Sequence, residues 1–249
     1  MLLLFSAAVF LSASLLFLVE PMFARMILPR LGGAPAVWNT CVVLYQSLLF
    51  AGYGFAHLMA RRLTPRTQAL VLVTLLVAAA GLLPIAVGPS WTPPATADPV
   101  GWVFLLLLTV VGLPFFVLAA SGPLLQHWFG SLGHRASVNP YMLYAASNLG
   151  SLLALLAYPL IVEPTLRLRA QSLAWTALYA VLVAVVIGCA ATVWRTRTAV
   201  VPEAPAVPVR GGAAAAPKED DDWLTTRLDW LLLALVPSSL MLSVSVRHF

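Results

Sequence analysis

Val100-Gly-Trp-Val-Phe-Leu-Leu-Leu-Leu-Thr-Val-Val-Gly-Leu-Pro-Phe-Phe-Val-Leu-Ala-Ala120 runs for 21 residues without a charge. A hydrocarbon layer about 30 Å thick is crossed by about 20 residues of helix, whereas a barrel strand needs only about 10. A run of this length therefore reads as a transmembrane helix, the open structure that satisfies its own backbone hydrogen bonds in lipid. Working outward, similar runs occupy Leu2–Val19, Ala36–Met59, Gln68–Val87, Pro140–Val162 and Gln171–Trp194, and the fourth run continues toward Phe129. A last run, Leu228–Val246, is less apolar and is interrupted at Pro237-Ser238-Ser239. The expectation is an all-α, polytopic transmembrane helical bundle of about six spans plus a partial seventh.

Composition agrees. Of 249 residues, 61% are hydrophobic and 9% charged, with a mean hydropathy of +0.94. Soluble domains carry about 25% charged residues, so the solvent for most of this chain is lipid. A net charge of +5 raises nucleic acid as a partner. The basic residues stand singly at the ends of apolar runs, a topology signal and not a phosphate-binding patch, so nucleic acid is excluded. Cys41 and Cys189 lie inside apolar runs and form neither a metal spacing nor a disulfide framework. The first run lacks a basic n-region and a small-x-small cleavage site, and so reads as an uncleaved span.

Three segments follow. Residues 1–195 form a six-span bundle. Residues 196–226, with Val201-Pro-Glu-Ala-Pro-Ala-Val-Pro208 and the acidic run Glu219–Asp222, form a linker expected to be disordered. Residues 227–249 read as the start of a further span that the end of the chain cuts short. Nine Lys and Arg residues fall on one side of the membrane (Arg61, Arg62, Arg66, Arg135, Arg195, Arg197, Arg210, Lys218, Arg227) and five on the other (Arg25, Arg30, Arg167, Arg169, Arg247). Positive residues accumulate in cytoplasmic loops, which predicts a cytoplasmic N-terminus.

Polar residues inside spans are costly and usually face a bundle interior. Asn39, Gln46, Tyr53 and His57 fall on one stripe of the second span. Two readings stand for it: the lining of a cavity for a polar solute, or hydrogen bonding that joins neighbouring helices. In the fifth span, Tyr141, Tyr144, Asn148, Ser151 and Tyr158 share one side, while Ala146, Gly150, Ala154 and Ala157 share the other. The second set is a small-residue seam for close helix packing. Gly112-Leu-Pro114 and Ser121-Gly-Pro123 predict breaks or kinks in the fourth span, with Gln126, His127 and Trp128 on a half-helix or surface helix beyond. Glu20 and Glu163, each before a proline at a span end, lie on one side, where they would attract a cation or pair locally with Arg25, Arg30, Arg167 or Arg169. There is no Gly-rich phosphate loop, nucleophile elbow or His-Glu-x-x-His motif. No catalytic dyad, cofactor site or metal site is expected.

Several segments resemble the bacterial fused MFS/spermidine synthase-like membrane proteins. They are Val19-Glu20-Pro21, then Pro29-Arg-Leu-Gly-Gly-Ala-Pro-Ala-Val-Trp38-Asn-Thr, with Gln46 and Ala51-Gly-Tyr53 through Ala56-His57 following. Gly112-Leu-Pro-Phe-Phe-Val-Leu118 and Gly122-Pro-Leu-Leu-Gln126-His-Trp128-Phe are similar to that family's fourth helix. Asn139-Pro-Tyr141-Met-Leu-Tyr-Ala-Ala-Ser-Asn148-Leu-Gly-Ser151, Tyr158-Pro and Val162-Glu163-Pro164 resemble its most characteristic stretch. The resemblance covers roughly residues 15–165, and the remainder by hydropathy and Val236-Pro-Ser-Ser239.

The resemblance implies an MFS-like half in the bacterial cytoplasmic (inner) membrane. It also implies a C-terminal Rossmann-type aminopropyltransferase-like domain that is absent from these 249 residues, so no enzyme activity is assigned. The expected function is a transporter-like membrane domain handling polyamines or another small cation. Asn39, Gln46, Tyr53, Tyr144, Asn148 and Ser151 would line its cavity, and Glu20 and Glu163 would be gate carboxylates. The alternative is a non-transporting anchor for the enzyme domain. Possible partners are the lipid bilayer, a small cationic solute, and the enzyme domain or a second copy of the chain.

Overall fold

The computed structural model describes residues 1–31, 35–88, 99–132 and 141–195. The linker and the seventh run expected above lie outside the described residues. Among the described residues all regular structure is helical. Helix α1 is Leu2–Leu31, α2 is Pro35–Arg62 and α3 is Pro65–Ala80. Helix α4 comprises Pro99–Leu107, a π segment Leu108–Gly112, and Leu113–Ser131. Helix α5 comprises Tyr141–Ala157, a π segment Tyr158–Val162, and Glu163–Thr165. Helix α6 is Leu168–Arg195. Five of these are long and apolar enough to cross a membrane; α3, at 16 residues, is shorter.

Local chemistry explains where the helices depart from the apolar runs. Helix α1 does not stop at Val19 but continues through Pro21, because Met22, Phe23 and Ile27 are buried in the bundle beyond it. Glu20 therefore lies within a spanning helix and not at its end. Helix α3 starts where Thr64 Oγ1 accepts from the Thr67 amide (3.4 Å) and Pro65 takes the first turn. It ends at Gly81, with Pro84 close behind.

Helix α4 is not broken at its prolines. The π segment sits directly before Pro114, and the longer turn of a π segment relieves the clash a proline ring makes with the preceding carbonyls. Trp128 is accordingly no surface residue: its side chain is fully buried. Pro159 in α5 lies inside its π segment, where the Glu163 amide donates five residues back to the Tyr158 carbonyl.

Helices α1 and α4 form the centre. Helix α1 packs against α5, α6 and α4; α4 packs against α2, α3 and α1; α3 and α6 pack together. Exchanging α1–α2–α3 for α4–α5–α6 maps these main contacts onto one another, with the smaller α1–α2 and α2–α3 contacts outside the exchange, and α2 and α5 become flanks that do not pack on each other. Each flank reaches the centre at a glycine. A Cβ on Gly52 would lie 2.7 Å from the Ala119 Cβ, and one on Gly150 would lie 2.5 Å from the Phe10 carbonyl oxygen. Both contacts require a backbone with no side chain.

Polar bonds tie the centre together. Ser12 Oγ donates to the Leu118 carbonyl, Trp175 Nε1 to the Leu15 carbonyl and the Tyr179 hydroxyl to the Leu76 carbonyl, each at 3.0 Å. The two hairpin turns carry matching glutamine clamps. Gln68 Nε2 donates to the Met59 and Leu63 carbonyls (3.3 and 2.8 Å), and its Oε1 accepts from Trp128 Nε1 (2.9 Å). Gln171 Nε2 donates to the Val162 and Leu166 carbonyls (3.4 and 2.8 Å), and its Oε1 accepts from the Tyr158 hydroxyl (3.2 Å).

Candidate functional site: the cleft between α1 and α2

A carboxylate inside a spanning helix is expensive and needs an explanation. Glu20 belongs to a half-buried stripe on α1 formed by Ser6, Ala13, Phe17, Glu20 and Ala24. Spacings of seven, four, three and four residues keep all five on one face. Across from this face, α2 presents Trp38, Cys41, Tyr45 and Gln46, and the two helices enclose a small cavity of about 50 Å³. Among the described residues Glu20 makes no ion pair and no side-chain hydrogen bond.

Tyr45 gives the cavity its second unusual feature. The residue is 6% exposed, and its hydroxyl is buried with no hydrogen-bond partner among the described residues. Leaving a buried hydroxyl unpaired costs about 1–3 kcal/mol. Tyr45 lines the same cavity as Glu20, from the opposite helix. Its ring is fixed from behind by Phe115 on α4, with centroids 4.9 Å apart. Trp38, 57% exposed, stands at the open edge. The chemistry assembled is one carboxylate, one unpaired phenol, one amide and one indole.

The other expected site residues are distributed differently. Gln46 is the one member of the α2 stripe that reaches the Glu20 cavity. Asn39 and Tyr53 are exposed on α2, outside the bundle. Tyr144 and Asn148 are exposed on α5, facing away from α1, and Ser151 donates to the Asn148 carbonyl of its own helix (3.0 Å). Since α2 and α5 do not pack on each other, these two sets do not meet among the described residues. On the seam side, Gly150 and Ala154 are buried and Ala146 is half-buried. Ser14 Oγ on α1 contacts both the Phe10 carbonyl (2.8 Å) and the Gly150 carbonyl (3.2 Å) there.

Glu163 has a partner of its own. Arg25 Nη1 lies 3.5 Å from Glu163 Oε1 and donates to the Glu163 backbone carbonyl at 3.0 Å. This pair ties α1 to α5 and is about 40% exposed on each side. The two acids therefore do different things: Glu20 faces α2 across a cavity, while Glu163 is held by Arg25. Among the described residues no three His, Cys, Asp or Glu side chains are placed to hold a metal ion.

Sequence reasoning missed Tyr45, Cys41 and Trp38 as cavity residues. Their spacing from 38 to 41 to 45 traces a stripe beside the polar one, but its aromatic and thiol side chains read as plain packing. Compared with known proteins, the chain matches no family model, no curated protein and no solved structure.

Proposed function

We propose that the chain is a transporter-like membrane domain that handles a small cation, as part of a protein resembling the spermidine synthase-like membrane proteins. The observation that carries this reading is Glu20, a carboxyl within a spanning helix that lines a partly open cavity beside a buried hydroxyl, both without a side-chain partner among the described residues. Intramembrane acids of this kind mark solute or ion pathways. The two-fold exchange of three-helix sets also fits the inverted repeats from which such transporters are built, with short α3 counted as the sixth span of an MFS-like half. In this reading the chain sits in a bacterial cytoplasmic membrane with its N-terminus inside.

The test is uptake of labelled polyamines and simple amines into proteoliposomes carrying the purified chain. Glu20-dependent uptake supports transport, and the absence of uptake for every amine removes it. A second reading, an anchor or scaffold for a C-terminal enzyme domain or a second copy, is favoured by one observation. Asn39, Tyr53, Tyr144 and Asn148 face outward from the six helices, where another helical unit would cover them. An anchor predicts that E20Q alters no flux.

A further inference from the structure

Resting on the transporter reading, we infer that the α1–α2 cavity binds a single primary ammonium group. Glu20 is its counter-ion, the Tyr45 hydroxyl and the Gln46 side-chain oxygen are its acceptors, and Trp38 is its aromatic wall.

A primary ammonium carries three N–H donors and no acceptor. Three side chains lining the cavity, Glu20, Tyr45 and Gln46, each offer an oxygen. The Tyr45 hydroxyl is the informative member, because a buried hydroxyl with no protein partner is rare and costly unless something else fills the role. Its fixed ring, held on Phe115, leaves the oxygen little freedom to seek another partner.

Size and surroundings narrow the class further. A water-sized group needs about 10–15 Å³ of such space, so a cavity of about 50 Å³ accepts an ammonium head and its first methylene. A tetramethylated nitrogen offers the cavity oxygens no N–H donor, and a guanidinium holds its donors in one rigid plane. A divalent metal would require about six oxygen ligands, more than this cavity supplies. The walls from Ala24, Cys41 and Trp38 are instead apolar or aromatic, suited to a methylene and to a cation over an indole face.

The experiment is calorimetric titration of the full chain in lipid nanodiscs with propylammonium, guanidinium and tetramethylammonium. The expected result is binding of propylammonium with one site per chain, at least tenfold tighter than either other cation. E20Q should abolish it, and Y45F and Q46L should each weaken it by about five- to tenfold. Melting temperatures of the variants verify that they fold. Equal binding of all three cations, or propylammonium binding unchanged in folded E20Q, overturns the site. Binding that survives this test without any uptake in proteoliposomes keeps the site and removes the transporter reading. Uptake that persists unchanged in E20Q keeps transport and removes the site.

Discussion

Gln68 and Gln171 occupy the same place in two different hairpins. Each side-chain amide reaches the carbonyls five and nine residues upstream, and each side-chain oxygen accepts from a buried aromatic, Trp128 or Tyr158. Each also closes a Leu-x-x-Arg-x-Gln string, from Leu63 to Gln68 and from Leu166 to Gln171. The clamp bonds the end of one helix to the start of the next, so it sets the angle of the hairpin. The carbonyl bonds follow the exchange of α2–α3 for α5–α6, whereas the aromatic partners do not, since Trp128 stands on α4 and Tyr158 on the α5 of Gln171's own hairpin.

Removing either clamp should loosen its own hairpin. Gln68→Ala strands the indole N–H of Trp128, which is fully buried, along with two carbonyls. An unsatisfied buried donor costs about 1–3 kcal/mol. The expected outcome is a clear fall in melting temperature in detergent for Q68A, and likewise for Q171A, which strands the buried Tyr158 hydroxyl. A Q68A protein that melts with the wild type would show that the clamp contributes nothing.

The glycine contacts make a sharper comparison. A Cβ at position 150 meets the Phe10 carbonyl at 2.5 Å, whereas one at position 54 meets nothing within 4 Å. Forcing a methyl into packed helices costs about 1–3 kcal/mol, while glycine to alanine at an open helical site stabilises by about 0.5–1 kcal/mol. Gly150→Ala should therefore destabilise and Gly54→Ala should not, as measured by thermal unfolding of the two proteins side by side. The same sign for both would mean that α5 does not approach α1 this closely.

How much of this was legible in the sequence follows from what each signal depends on. Helices and their membrane character depend on composition over about 20 residues, and that signal is strong from Val100 to Ala120. Their ends depend on tertiary packing: Pro21 looked like a stop, yet burial of Phe23 and Ile27 carries α1 onward. The continuity of α4 was hidden for a related reason, because a π segment is a backbone response that no residue pattern announces. At the site, Glu20 and Gln46 stood out as polar residues in apolar runs, but their meeting across two helices is a packing fact. Tyr45 carried no polar signal at all; only its unpaired hydroxyl in the folded chain distinguishes it from a core aromatic.

The Arg25–Glu163 pair should matter less for stability than its position suggests. Both side chains are about 40% exposed, and exposed pairs contribute about 0–1 kcal/mol. Glu163→Gln keeps the backbone carbonyl that Arg25 also grips, so its melting temperature should stay within about a degree or two of the wild type. Arg25→Ala removes both contacts and should cost more. If E163Q fell as far as R25A, the carboxylate and not the carbonyl would be the anchor of α5 on α1.

Solvent access along α2 separates the two functional readings with one reagent. Cys41 and Cys189 are buried but Cys41 lines the same cavity, so labelling with a membrane-impermeant maleimide is read in a Cys41→Ala, Cys189→Ala background. Gln46→Cys places a thiol at the cavity, and Phe50→Cys places one on a face that is 81% exposed in the bundle and apolar enough to lie in lipid. Thiols react as thiolates in water and hardly at all in hydrocarbon. A water-accessible pathway along α1 and α2 predicts rapid labelling at 46, slow labelling at 50, and slowing at 46 when propylammonium is added. An anchor whose α2 stripe is covered by other helices predicts slow labelling at both. The propylammonium effect is decisive, because plain exposure at 46 without a bound cation would leave the thiol equally reactive in its presence and absence.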